Sequence, residues 1–139
     1  KDLLLEVTES AYAEDSRQLI DVVNGLRAKG FSIEMDDFGS GYSSLNMLTT
    51  LPIDVLKLDM VFVKNVHTDD KALKLVELIM EIAGYLGVPV IAEGVEYEEQ
   101  YNILKKAGCD VIQGYYFSKP LPLDEFEQLL IDYKKEGGK

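Results

Sequence analysis

Asp36-Asp37 close a short strand-like run and open directly into Phe38-Gly39-Ser40-Gly41-Tyr42-Ser43-Ser44. Adjacent carboxylates at a strand's carboxyl end, followed by a glycine-rich loop, suit hard metal ions and, through them, a phosphate ester. The same residues would also serve as a helix-capping aspartate and an acidic turn. Other groups able to do chemistry recur at the ends of apolar runs: Glu6, Lys57, Asp59, Glu93 and Gln113. This is an oxygen-donor set, and the chain's one histidine, His67, and one cysteine, Cys109, exclude zinc chemistry of the metalloprotease kind.

Positioning such groups falls to a repeated unit: an amphipathic helix, a glycine, then a short apolar strand with a polar end. Leu19, Val22, Val23 and Leu26 fall at helical spacing, and Gly30 stops that helix before a strand over Phe31–Met35. Leu73, Val76, Ile79, Met80 and Ala83 mark a second helix, ended by Gly87 before Val88–Ala92. Tyr97, Tyr101, Leu104 and Ala107 mark a third, ended by Gly108 before Asp110–Ile112. Two more strands are expected at Leu3–Val7 and Val55–Asp59, and Pro122, Phe126, Leu129, Leu130 and Tyr133 describe a closing helix.

Strands alternating with helices imply a parallel sheet, either open and doubly wound or part of a (β/α) barrel. Because every second strand residue faces the same side, Glu6 groups with Leu4 and Thr8, Glu34 with Asp36, and Lys57 with Asp59. Likewise Glu93 groups with Ile91 and Gln113 with Val111. Polar groups converging from successive strand ends are the barrel-enzyme layout, whereas an open sheet gathers its site at one switch point. The expectation is therefore an α/β, partial (β/α) TIM-type barrel of five parallel strands, too few to close. Residues 1–136 read as one unit and 137–139 as a frayed end.

The chain has 139 residues and 47% hydrophobic content, ordinary for one globular domain. A net charge of −11 argues against a DNA or RNA duplex as partner, because phosphates would be repelled. An acidic protein handling a phosphorylated substrate needs cations between its carboxylates and that substrate. No run approaches the roughly 18 apolar residues of a membrane span and no signal peptide opens the chain. With a single cysteine, this points to a reducing cytoplasm.

Five stretches together closely resemble the EAL-domain family of cyclic di-GMP phosphodiesterases. They are Glu6-Val7-Thr8-Glu9, Asp36 through Ser44, Leu56-Lys57-Leu58-Asp59, Ala92-Glu93-Gly94-Val95-Glu96, and Gln113 through Pro120. They occur in the family's order and span nearly the whole chain. The resemblance implies a modified (β/α) barrel that opens one phosphodiester of cyclic di-GMP to give the linear dinucleotide, using two Mg²⁺ or Mn²⁺ ions. By motif match, Glu6 would ligate one metal, Asp36 would bind both, and Asp37 would serve the second. Lys57 would hold the attacking water or steady charge at the phosphate; its bland alternative is a structural ion pair with Asp59. Glu93 would act as metal ligand or general base, and Gln113 would orient water or substrate. Glu9 would anchor the loop after Asp37. Glu96 would support the site, unless it is only an acidic first-turn helix residue. The loop of Phe38, Gly39, Ser40 and Gly41 onward would couple metal binding to dimerisation. Tyr115, Tyr116 and Phe117 read as packing residues.

The family's name-giving Glu-Ala-Leu stretch and an asparagine expected before Glu6 are not in this sequence; both normally supply metal ligands. Against a typical barrel of about 250 residues, the chain reads as the C-terminal part of such a domain. The expectation is little activity on its own, in a parent carrying upstream sensory domains, with the open barrel edge favouring a homodimer or swapped self-association. Glu34 stands where the family usually has a small residue, and is expected to pair with Lys57 or to shift a neighbour's pKa. The alternatives are a degenerate relative that binds cyclic di-GMP without cleaving it, and a barrel using Lys57 as a Schiff base.

Overall fold

In the computed structural model, which describes residues 3–38 and 45–135, five strands alternate with helices in one parallel sheet. β1 (Leu4–Thr8) is followed by α1 (Glu9–Glu14) and α2 (Ser16–Ala28), and β2 (Ser32–Phe38) by α3 (Leu45–Thr50). β3 (Val55–Leu58) is followed by α4 (Met60–Lys64) and α5 (Asp70–Leu86), β4 (Val90–Ala92) by α6 (Glu98–Ala107), and β5 (Val111–Ile112) by α7 (Leu123–Lys135). Spatial order equals chain order, β1-β2-β3-β4-β5. A doubly wound sheet reverses direction at a switch point, whereas barrel winding lays each strand beside the last. Of the two expected architectures, the chain takes the barrel type.

Alternation along the strands divides the side chains between two faces. Ile33, Met35, Leu56, Leu58, Val90 and Ala92 are buried in one core with Val23, Val63, Val76, Ile79 and Leu104 from the helices. Burying each such aliphatic side chain contributes about 1.5–3 kcal/mol. The intervening residues, Glu34, Asp36 and Lys57 among them, are thereby turned to the opposite, concave face. Helix ends fix where each strand begins. Gly87 and Gly108 adopt φ of 70° and 88° and return their N–H groups to the last turns of α5 and α6, a conformation that disfavours any side chain.

Three differences from the sequence-based expectation bear on the site. β2 runs to Phe38, which is buried in the core, so Phe38 is a strand residue and not part of a loop. Its expected loop companions Gly39, Ser40 and Gly41, like the end at 137–139, lie outside the described residues. α1, α3 and α4 were not expected: at five or six residues each, they are too short to show a period of 3.6. α7 follows Pro122 as expected but buries none of its residues, leaving Leu123, Phe126, Leu129, Leu130 and Tyr133 exposed. Among the described residues no helix is long and apolar enough to cross a membrane.

Candidate active site

Strand register brings the expected groups together at the carboxyl ends. Glu6 pairs in register with Glu34, Thr8 with Asp36, and Lys57 with Ile91. On the shared concave face, the Lys57 ammonium lies 2.9 Å from Asp36, 3.3 Å from Glu93 and 3.9 Å from Glu6. Lys57 therefore joins carboxylates from β1, from β2 and from just beyond β4. The Glu6 contact is the weakest: its side chain is 57% exposed, and such pairs contribute little.

Adjacent aspartates on a regular strand would point to opposite faces. Here the register of β2 against β3 shifts between Met35 and Phe38, and Asp37 takes φ of 55°. Bulges re-aim side chains in this way, and aspartate is one of the few residues that tolerates the left-handed region. Asp37 is thereby turned toward Asp59 and Glu93, the ligand oxygens of the three lying within 4.8 Å of one another. The bland alternative of a Lys57–Asp59 ion pair is not formed. Asp59 caps α4, accepting a hydrogen bond from the Val61 N–H at 2.6 Å, and faces the same acidic group. Asp59 is the metal-capable residue that the sequence pattern placed on the right face without assigning it to the site.

The electrostatics follow from crowding. Burial disfavours the Lys57 charge, but Asp36 and Glu93 more than offset that and hold its pKa above the ordinary lysine range. The ion pairs with Asp36 and Glu93 favour the ammonium form, whereas a Schiff base needs the neutral amine. Burial, and then the neighbouring Asp36 and Asp59 charges, push the Asp37 carboxyl upward. Glu34 is raised in the same way by burial, then by the charges of Glu6, Asp36 and Glu93 against the opposing Lys57. Asp36 Oδ1 is buried, with the Lys57 ammonium 2.9 Å away as its ion-pair partner. An all-oxygen donor set of crowded carboxylates fits a hard divalent cation. Asp37, Asp59 and Glu93 form the group able to hold one among the described residues.

Comparison with known proteins identifies the family. The model of the EAL domain family matches residues 1–120. The chain belongs to the EAL domain family. A cyclic di-GMP phosphodiesterase of Pseudomonas aeruginosa, NbdA, is 41% identical over 132 residues, covering 95% of this chain and 17% of NbdA. Among solved structures, the PaMucR phosphodiesterase in complex with cyclic di-GMP superposes with a TM-score of 0.83 at 37% identity, covering 89% of this chain and 50% of that one. BlrP1 of Klebsiella pneumoniae, solved with manganese and cyclic di-GMP, superposes with a TM-score of 0.79 at 36% identity, over 84% of this chain and 30% of that one. The chain spans 15–17% of the length of the first curated relatives it matches.

In this EAL-family chain the remaining expected residues stand apart from the Lys57 cluster. Gln113 and Glu96 line a cavity of about 240 Å³ with Met60, Glu93, Gly94, Gly114 and Tyr115, so Glu93 borders both regions. Glu96 is not in the first turn of α6, where Glu98 and Glu99 sit; its N–H donates to Gln100 Oε1 at 2.8 Å. Tyr115, Tyr116 and Phe117, all read as packing, are exposed; Tyr115 lines this cavity, and Tyr116 and Phe117 make ring contacts with Tyr101. Glu9 is buried in the first turn of α1; the loop it was expected to anchor lies outside the described residues. Nor does Glu34 meet the expected contact with Lys57, whose ion pairs go elsewhere.

Two polar features hold the cavity wall and were not foreseen. Gln100, fully buried, accepts from the Glu96 and Tyr97 N–H groups and donates to the carbonyls of Val63 and Lys64. It ties the segment after Glu93 to the end of α4. A Cβ on Gly114 would lie 2.1 Å from the Val95 carbonyl oxygen, so only glycine permits the two segments to approach. A buried glutamine in an acidic helix start looks in sequence like any solvated polar residue.

Proposed function

We propose that this chain carries the metal-binding strand ends of a domain that hydrolyses one phosphodiester of cyclic di-GMP, giving the linear dinucleotide. The observation that carries the proposal is the convergence of Glu6, Asp36 and Glu93 on Lys57, beside the Asp37–Asp59–Glu93 group. NbdA's phosphodiesterase name and the bound dinucleotide of PaMucR support the substrate.

In this proposal Asp36, Asp37 and Glu93, with Glu6 and Asp59, hold Mg²⁺ or Mn²⁺; the manganese in BlrP1 supports the class of ion. Two such ions, when bound, lower the pKa of water and hold charge on the attacking and leaving oxygens. Lys57, kept cationic, faces the negative charge that develops at the phosphate. Glu93, bordering both the Lys57 cluster and the cavity, is placed to take a proton from water. Gln113 and Glu96 orient what enters the cavity, and Glu9 supports the strand end. The work takes place in the cytoplasm, consistent with a single cysteine. A homodimer or swapped self-association covers the open edge of the sheet, and further domains of the whole protein supply its regulation.

Chromatographic assay of cyclic di-GMP with the whole protein that carries this chain tests the hydrolysis, since the chain on its own is expected to show little activity. The expected result is conversion to the linear dinucleotide with Mg²⁺ or Mn²⁺ and none with a chelator. Tight binding without conversion in either metal would replace hydrolysis by a receptor function, and neither binding nor conversion would overturn the proposal.

A further inference from the structure

Granted the metal site proposed above, two of its carboxylates lie just beyond the ends of their strands, Asp59 after β3 and Glu93 after β4. With Asp37, their oxygens fall within 4.8 Å of one another, and like charges so close repel. Contacts outside the ladder must hold the two segments together until a cation arrives. Near the strands these are backbone contacts. The Glu93 N–H donates to the Leu58 carbonyl at 3.3 Å, and a Cβ on Gly94 would lie 2.5 Å from the Met60 Cβ. Further out, the contact is made by the side chain of Gln100.

Gln100 is 1% exposed in the first turn of α6. Its Oε1 accepts from the Glu96 and Tyr97 N–H groups at 2.8 and 3.0 Å, and its Nε2 donates to the Val63 and Lys64 carbonyls, both at 3.3 Å. An amide side chain offers two acceptor sites and two donor hydrogens, and here all four are used. Two of the partners follow Glu93 in the chain. The other two end α4, whose start is capped by Asp59. At five residues, α4 is about 7.5 Å long and moves as one piece, so a shift at its end reaches Asp59. Glutamate at this position would lose both donations and bury a charge, and methionine would lose all four bonds.

We infer that Gln100 is a positioning residue of the metal site: through the Glu96–Tyr97 backbone and through α4, it fixes the separation of the Glu93 and Asp59 carboxylates before a cation binds. It acts through these two residues and touches neither cation nor substrate. Such a brace matters most for a small ion. Mg²⁺ demands near-ideal octahedral geometry at about 2.0–2.1 Å, whereas Ca²⁺ accepts irregular oxygen cages at about 2.3–2.6 Å. Loosened carboxylates therefore lose Mg²⁺ first. A glutamine that served stability alone would have no such preference, and its removal would leave the ratio of the two affinities unchanged.

Calorimetric titration of the whole protein that carries this chain, with Mg²⁺ and separately with Ca²⁺, tests this in wild type, Gln100→Met and Gln100→Glu. Circular dichroism checks folding, and the heat absent from an Asp36→Asn variant is assigned to this site. The expected result is that both Gln100 variants weaken Mg²⁺ binding about tenfold and Ca²⁺ binding less than about threefold. Equal weakening of both ions, or no change in either, overturns the inference and leaves the hydrolytic function intact. Uptake of neither ion by the wild-type site overturns the inference together with the proposed function. A measurement on wild type alone decides where a variant does not fold or Ca²⁺ is not bound: hydrogen–deuterium exchange, read by mass spectrometry over residues 94–98. The Glu96 and Tyr97 amides should be protected without a cation, and Mg²⁺ should change their exchange less than about twofold. Protection that arises only with Mg²⁺ would mean that the cation orders the Gln100 contacts, which overturns the inference.

Discussion

The two ends of the sheet use aspartate in opposite ways. Before β3, Asp54 accepts the Ile33 N–H at 2.9 Å from the start of β2 and binds Arg27 through both carboxylate oxygens, at 2.8 and 3.2 Å. Before β5, Asp110 repeats the device, accepting the Val90 N–H at 2.8 Å from the start of β4. At the carboxyl ends, Glu6, Asp36, Asp37, Asp59 and Glu93 crowd around Lys57. The pKa values divide accordingly. Burial opposes the charge of Asp54, but the Ile33 N–H and Arg27 more than offset it and lower its pKa. At the other end Asp37 is raised by burial and by like charge. Carboxylates at the amino ends are satisfied and hold the strands in register, whereas those at the carboxyl ends are left short of partners. Unsatisfied, mutually repelling acids persist where a cation or substrate is to be bound. The contrast teaches where the fold spends stability and where it gains it.

The largest test of that contrast is functional. Replacing Asp36 with asparagine, at the crowded end, should lower metal-dependent hydrolysis of cyclic di-GMP on the order of 10³-fold, because groups that act as a unit fail together. Turnover within about tenfold of wild type would place the chemistry elsewhere. At the satisfied end, Asp54→Ala should leave the reaction untouched at temperatures where the protein is folded. It should instead lower unfolding stability by about 1–3 kcal/mol in urea, since the Ile33 N–H and Arg27 lose their partner. An Asp54 variant as stable as wild type would erase the distinction between the ends.

Much of this contrast was legible in the sequence, though not evenly. Alternation alone put Glu6, Asp36, Lys57 and Glu93 on one face, and the structure brings them within 4 Å of the Lys57 ammonium. Alternation is also why Asp37 could not be oriented from sequence: its place in the site depends on a bulge and a positive φ, which no period reveals. Asp59 was left out of the site because a residue two along from Lys57 reads as its partner, whereas the start of α4 draws its side chain to the Val61 N–H. Gln100 was invisible for a different reason. Its burial comes from the meeting of α4 and α6, a tertiary contact between segments 36 and 37 residues apart. Glu34 was recognisable as an oddity, but its burial without an ion pair to Lys57 comes from how the strands pack and not from any period.

A smaller effect distinguishes crowding from mere acidity. Asp37→Asn keeps a residue that accepts the left-handed backbone and removes one of the repelling charges. Its unfolding free energy at pH 7 should rise by roughly 0.5–1 kcal/mol, while Mn²⁺ uptake falls. Loss of stability in this variant would mean that Asp37 is satisfied in the folded chain and the crowding is only apparent.

The finest distinction is one of order along the pH axis. Asp54 has a folded pKa below its unfolded value of 3.8, so its stabilisation is present above that value and is lost as pH falls through the folded pKa. Asp37 has a folded pKa above 3.8, so the folded chain holds its proton more tightly and ionisation costs stability as pH rises through the raised value. Urea titrations of wild type, Asp37→Asn and Asp54→Asn between pH 7 and pH 3 should therefore converge in sequence. The advantage of Asp37→Asn shrinks first on acidification, and the deficit of Asp54→Asn persists to lower pH before it narrows. Simultaneous convergence would mean that both aspartates see the same surroundings, and the two ends of the sheet would then differ in composition but not in electrostatic design.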